Sequence, residues 1–279
     1  MSLSFSACMG DSVWNYLTGN FGGFTEMPSG TGSGANSNIT INVGTAQTQT
    51  GGLSDVISRS TPTVVELWTL YSFEMNGETY YSEACGSGVI VKKDNDKAYI
   101  VTNTQLILDG ADQGQYTYKG MRITVRFSFG VEAEARILLR DETCDVGLVY
   151  VDKSEIEEYF DQVKATTLST DIVEGEKVFS IGNPFMDGTM GLSASAGVIS
   201  ATARQMNIGN NRYVDLIQTD TAVNGGNTGG GLFDMDGKLV GVVNGKIVAT
   251  GVEGLGFALP TNKLLEVLHQ NGQLLDLTV

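Results

Sequence analysis

Thr219 to Leu232 reads T-D-T-A-V-N-G-G-N-T-G-G-G-L, and the rest of the chain is organised around it. Glycine accepts backbone dihedrals that a side chain forbids, so such a run can turn several consecutive N–H groups toward one point. Donors gathered in this way stabilise developing negative charge on an oxygen. Thr228 sits in the centre of the run, in the frame G-N-T-G-G. Its chemistry depends on what other segments bring to its hydroxyl.

On either side lie short runs of β-branched and aromatic residues separated by turn signals, the pattern of an all-β barrel or sandwich. Thr61 to Tyr71 reads as a first strand, and Asn76-Gly77 is a hairpin turn leading into Glu78 to Ser82. Gly86 to Lys93 and Ala98 to Asn103 flank the polar turn Asp94 to Lys97. Met121 to Ser128, Val131 to Leu139 and Val146 to Val151 continue the series. Ser154 to Phe160 is a short helical turn that joins two lobes. A second set follows at Lys177 to Ile181, Gly191 to Ala203, Arg212 to Thr219, Gly230 to Asp234, Leu239 to Val248 and Gly254 to Leu259. Leu264, Leu265 and Leu268 recur at helical spacing behind Thr261 and Asn262, which predicts a closing amphipathic helix.

The chain has 279 residues, 36 of them glycine and only four proline, and a formal charge of -15. So acidic a surface argues against binding a nucleic-acid backbone, which needs clustered Lys and Arg. Residues 1–53 are rich in Gly, Ser, Thr and Asn and hold too few aliphatics to offset their ordering entropy. They are expected to form a flexible tether, with Trp14, Tyr16, Phe21 and Phe24 as a sticky patch. Cys8, Cys85 and Cys144 have no metal spacing and are expected as free thiols, although a Cys85–Cys144 bridge is conceivable. No apolar run reaches the roughly 20 residues needed to cross a bilayer, and no basic-then-apolar secretory signal is visible. Neither a metal nor a cofactor is expected.

The frame around Thr228 resembles the nucleophile loop of trypsin-like serine peptidases of the HtrA/DegP type, G-[DN]-S-G-G-P, with Thr228 in place of serine and Gly231 in place of proline. Other segments resemble that family in order. Gly86-Ser87-Gly88-Val89-Ile90 is similar to the strand before its catalytic histidine, and Ile100 to Ile107 to its T-N-x-H-V motif. Asp145-Val146-Gly147-Leu148 is similar to the strand that carries its aspartate, and Ile181 to Phe185, Gly197 to Ala201 and Gly254 to Pro260 to its second-lobe motifs. The resemblance covers Ser54 to Leu268, with Ser58 to Val65 as the first strand. It implies two six-stranded antiparallel β-barrels, a trypsin-like double barrel with a C-terminal α-helix. Residues 54–160 would form the first lobe and 161–279 the second.

The same resemblance assigns the site. Gln105, Asp145 and Thr228 occupy the positions of histidine, aspartate and serine. Gly226 and Thr228 would supply the oxyanion-hole N–H groups. Ala222, Val223 and Asn244 would border the specificity pocket, and Val242-Val243-Asn244 would be the edge to which a peptide pairs. A carboxamide has no titration near neutral pH, so Gln105 cannot serve as general base or acid. Threonine's methyl restricts its side-chain torsion, and the sole histidine, His269, lies on the predicted closing helix. The expectation is a catalytically inactive homologue that binds a peptide or unfolded protein segment or acts as a scaffold. The alternative is a divergent peptidase using Thr228. The resemblance further implies the cell envelope or the extracellular space, leaves a trimer through the N-terminal aromatics open, and departs from the family in having only Gln270 to Val279 where a PDZ-like module would follow.

Overall fold

The structure, a computed structural model, describes residues 5–6, 52–112, 115–184, 191–208, 213–246 and 254–272. The expectations for Cys8, for the aromatics of residues 14–24 and for Phe185 lie outside the described residues. Strand β1 (Phe5–Ser6) is followed by helix α1 (Leu53–Ser60) and strands β2 (Val64–Met75), β3 (Glu78–Lys93), β4 (Lys97–Thr102), β5 (Thr117–Phe127), β6 (Glu132–Asp141) and β7 (Val146–Asp152). They hydrogen-bond in the order β1-β3-β2-β5-β6-β7-β4, and the pairing of β4 back onto β3 closes β2 to β7 into a barrel. Strands β8 (Lys177–Gly182), β9 (Ser193–Asn207), β10 (Tyr213–Thr219), β11 (Gly231–Asp234), β12 (Leu239–Lys246) and β13 (Gly256–Pro260) form a second closed barrel, followed by helix α2 (Thr261–Gln270). The fold is the double barrel with a closing helix that the sequence implied.

Side chains alternate faces along each strand, and this sorts the core. Val65, Leu67, Ile90, Ile100 and Val149 fill the first barrel, while Val178, Ile199, Ile217, Leu232 and Val240 fill the second. Their strand neighbours Val64, Val89, Phe179 and Phe233 point the other way and join one cluster with residues of both barrels and of α1 and α2. Phe179 and Phe233 stack there with ring centroids 5.5 Å apart. Each such buried side chain stabilises by roughly 1.5–3 kcal/mol, so the seam beneath the cleft is firmly held.

Two sequence readings need correction. Leu53–Ser60 is a helix and strand β2 starts only at Val64, so Ser58 to Thr63 is not strand. Leu53, Val56, Ile57 and Ser60 share one helical face, with Val56 buried against the seam, and Pro62 then opens a 3-10 turn. Glu78 to Lys93 is also one unbroken strand where two were expected. Nothing between Ser82 and Gly86 turns the chain, and Gly86 serves close packing instead. A Cβ on Gly86 would lie 2.4 Å from Leu106 Cδ1. The hairpin at Asn76-Gly77 forms as expected, with φ of 54° and 80° matching a type I′ turn.

Candidate active site

Strand β4 ends at Thr102, and Thr104–Leu106 forms a 3-10 turn that presents Gln105 at the surface between the barrels. Asp145 precedes β7 in the left-handed region, φ 57°, which aspartate tolerates better than most residues. Its backbone carbonyl accepts the Thr104 N–H at 3.3 Å and the Asn103 amide at 3.2 Å, which locks the two turns together. A carboxylate offers only acceptors, so its neighbours must turn donors toward it. Asp145 Oδ1 accepts the Gln105 backbone N–H at 2.9 Å, and Oδ2 accepts Gln105 Nε2 at 3.0 Å and Asn244 Nδ2 at 2.9 Å.

Opposite, Gly225–Asn227 forms a 3-10 turn before β11. The Thr228 N–H donates to the Gly225 carbonyl at 3.3 Å, so this proposed oxyanion donor is engaged within its own turn. The surrounding backbone is fixed from several sides. Ser87 donates its N–H to the Thr228 carbonyl at 2.8 Å and its hydroxyl to the Gly226 carbonyl at 2.9 Å. Gly229 N–H donates to the Val243 carbonyl and Gly230 N–H to the Asn227 carbonyl, both at 2.8 Å. Gly229 has φ +84°, and a Cβ there would lie 2.1 Å from the Ser87 carbonyl oxygen, so only glycine fits.

Gln105 and Thr228 line one cleft of about 420 Å³ together with Cys85, Leu106, Phe73 and Gly225. Thr228 is buried. Asp109 also lines the cleft, where Arg140 grips it with bonds of 2.6 and 3.0 Å. His269 is exposed on α2, a helix packed on β12 and β13. Neither Cys85 nor Cys144 is in a disulfide, and burial pushes the Cys144 thiol above the ordinary range.

The residues expected at a specificity pocket do not act alike. Ala222 is exposed, its N–H bonded to Ser195 Oγ at 2.9 Å and its carbonyl to Asn227 Nδ2 at 3.1 Å. Val223 is buried and fills the space beside Gly256, where a Cβ would meet its Cγ2 at 2.6 Å. Asn244 turns its amide to Asp145 instead. The expected edge at Val242-Val243 is also taken. Val243 donates to the Gly230 carbonyl and accepts from Gly229 N–H, and β13 pairs on its other side. Among the described residues no strand pairs on the β11 side of β12 beyond Val242, so an edge there starts at Asn244.

Sequence reasoning placed Ser87 and Asn183 in family motifs without giving them a role, and it passed over Glu66. Asn183 donates its N–H to Ser87 Oγ at 2.9 Å and its side-chain amide to Glu66 Oε2 at 2.8 Å. The available signal was the charge of Glu66 inside the apolar run Val64-Val65-Glu66-Leu67-Trp68.

Residues 86–242 match the family model of the trypsin-like peptidase domain. The chain belongs to the trypsin-like peptidase family. It is 30% identical over 238 residues to the Serine protease Do-like HtrA of Bacillus subtilis, covering 80% of this chain and 49% of that protein. It is 36% identical over 196 residues to a probable periplasmic serine endoprotease DegP-like of Pseudomonas fulva, covering 70% of this chain and 36% of that one. The chain thus spans about half the length, or less, of these curated relatives. The solved structure of HtrA-type protease AlgW with decapeptide superposes with a TM-score of 0.61 at 29% identity, covering 78% of this chain and 66% of that chain. These likenesses make it an HtrA-type homologue. Among its described residues no cluster of three or more His, Cys, Asp or Glu side chains is placed to hold a metal, and no helix is long and apolar enough to cross a membrane.

Proposed function

We propose that this chain is an HtrA-type homologue with a degenerate triad that binds an extended peptide without cutting it. The observation that carries this reading is the bond from Gln105 Nε2 to Asp145 Oδ2. In an active enzyme of this fold an imidazole stands between carboxylate and hydroxyl, accepts the hydroxyl proton and returns it to the leaving amine. Here the group that meets the carboxylate is a carboxamide, which can donate to Asp145 but can neither take up nor release a proton near neutral pH. Asp145 then serves to fix the Gln105 and Asn244 amides. Triad loss leaves only about 10³ to 10⁴ over the water rate, from the oxyanion hole and binding. The engaged Thr228 N–H lowers even that expectation.

Peptide binding is supported by the cleft itself and by its HtrA-type relatives. An extended segment can add to an edge by backbone hydrogen bonds without any chemistry. The edge proposed is β12 from Asn244 onward, beside Ala222 and Val223, which offer no charge. Residues 54–160 and 161–279 are the proposed lobes, with a trimer through the N-terminal aromatics as the assembly to test. The cell envelope is the proposed setting, since several relatives are described as probable periplasmic proteases. A fluorescein-labelled casein digest tests both halves. Binding by anisotropy with the peptides recovered intact is the expected result. Cleavage would overturn the inactive assignment, and absence of binding would overturn the peptide-binding one.

A further inference from the structure

Glu66 lies in the first barrel, far in sequence from Gln105, Asp145 and Thr228, and is only 6% exposed. In register it has Ser87 of β3 on one side and Arg126 of β5 on the other, with Glu132 of β6 next in the row. Side chains of one cross-strand row share a face of the sheet, and here that face meets the loop after β8. Glu66 Oε2 accepts Asn183 Nδ2 at 2.8 Å, and Asn183 N–H donates to Ser87 Oγ at 2.9 Å. Ser87 ends the path, its hydroxyl on the Gly226 carbonyl at 2.9 Å and its N–H on the Thr228 carbonyl at 2.8 Å. The Asn183 carbonyl also presses on the turn, since a Cβ on Gly226 would lie 2.1 Å from it.

A hydroxyl has one donor and two acceptor sites, so Ser87 can take the Asn183 N–H and give its own proton to Gly226 at the same time. Donors thus run outward from Asn183, its side-chain amide to the buried carboxylate and its N–H to Ser87, whose hydroxyl and N–H donate in turn to both carbonyls of the turn. We propose that Glu66 is a positioning residue for the Gly226–Thr228 turn, acting through Asn183 and Ser87 to fix which way its peptide groups face. The proposal rests on the reading of that turn as the ligand-facing side of the cleft, and goes beyond it by assigning the control to a carboxylate outside the triad positions.

The electrostatics fit such a role. Burial pushes the Glu66 carboxyl above the ordinary carboxylate range, the Arg126 charge and the Asn183 bond pull it down, and Glu132 pushes it up. Arg126 is itself shared with Glu132 at 4.0 Å. Neutralising Glu66 weakens the acceptor offered to Asn183, because hydrogen bonds to a charged group are the stronger kind.

The test uses the full chain and reads backbone amides. In ¹H–¹⁵N spectra from about pH 4 to about pH 8, a range that spans carboxylate titration, the Gly226 and Thr228 amides should shift with the midpoint of the Glu66 side-chain carboxyl. Glu66→Gln should abolish that titration and, because glutamine keeps a weaker acceptor for Asn183, lower affinity for a labelled casein peptide by less than Glu66→Ala does. Glu66→Ala and Ser87→Ala should displace the same amides and weaken the peptide by about tenfold, the scale of one broken buried hydrogen bond. Amides of Gly226 and Thr228 that ignore the Glu66 titration, or Gln and Ala variants that behave alike, would overturn the assignment. If Glu66→Ala does not fold, the Gln variant and Ser87→Ala decide. Failure of the wild-type chain to bind peptide would count against the proposed function, while the amide titration would still decide the role of Glu66.

Discussion

On the first-barrel side of the cleft Asp145 receives N–H groups from Gln105 and Asn244, whereas on the second-barrel side the Thr228 N–H is received by the Gly225 carbonyl three residues before it. Both halves engage these particular groups internally, but by different means. The first does so with residue chemistry: no rotation of a carboxamide makes it a base. The second does so with backbone conformation, at a glycine surrounded by open space. On the proposed reading, one half would need a different side chain to become competent, the other only a reoriented peptide group. On the proposed inactive reading, the block lies in atoms on one wall and in geometry on the other.

Substitutions that break this contrast should act with graded size. The largest effect belongs to Gln105→His combined with Thr228→Ser, which returns a proton shuttle worth about 10² to 10⁴ in rate. Casein turnover should rise from undetectable to measurable. A folded but silent double variant would mean that the conformational half alone suffices to block the site. Next, Gly226→Ala forces a Cβ against the Asn183 carbonyl and should cost about 3 kcal/mol in urea unfolding, the upper part of the overpacking range. Asp145→Ala strips the acceptor from three named amide donors and places alanine at a positive φ, for a loss of about 2 kcal/mol.

Glu66→Gln acts in the opposite direction. A carboxyl whose folded pKa is raised supports the fold most at low pH and loses that support as pH climbs through the folded value. Glutamine keeps an acceptor for Asn183 and carries no charge. The Gln variant should therefore melt higher than the wild type at about pH 8, with the gap closing toward about pH 4, below the usual glutamate value. Smallest of all is Gly225→Ala, where an added Cβ meets no atom within 4 Å. Stability should stay within about 0.5 kcal/mol. A large loss there would show that the conformational half of the contrast is more constrained than its open surroundings imply.

Much of the fold could be read from local signals. Period-two runs, the Asn76-Gly77 turn and the glycine frame around Thr228 each bear on a few neighbouring residues, so a linear reading captures them. Helix α1 escaped because its two turns run straight into the β-branched stretch at Thr61 to Val65. The bond from Asn244 to Asp145 joins residues 99 apart, and that from Asn183 to Glu66 residues 117 apart, distances over which no spacing rule operates. The Thr228 to Gly225 bond was hidden for another reason. Glycine at 225 and 226 permits several peptide orientations, and only the surrounding hydrogen bonds select one.

The central claim is that no proton acceptor serves the Thr228 hydroxyl, and covalent labelling reads this directly. A fluorophosphonate probe incubated with the wild-type chain at high concentration, followed by peptide mass mapping, should give no adduct at Thr228, while the Gln105→His, Thr228→Ser double variant should be labelled at residue 228. An adduct on wild-type Thr228 that is lost in Thr228→Ala would contradict the account and restore this chain to the active peptidases.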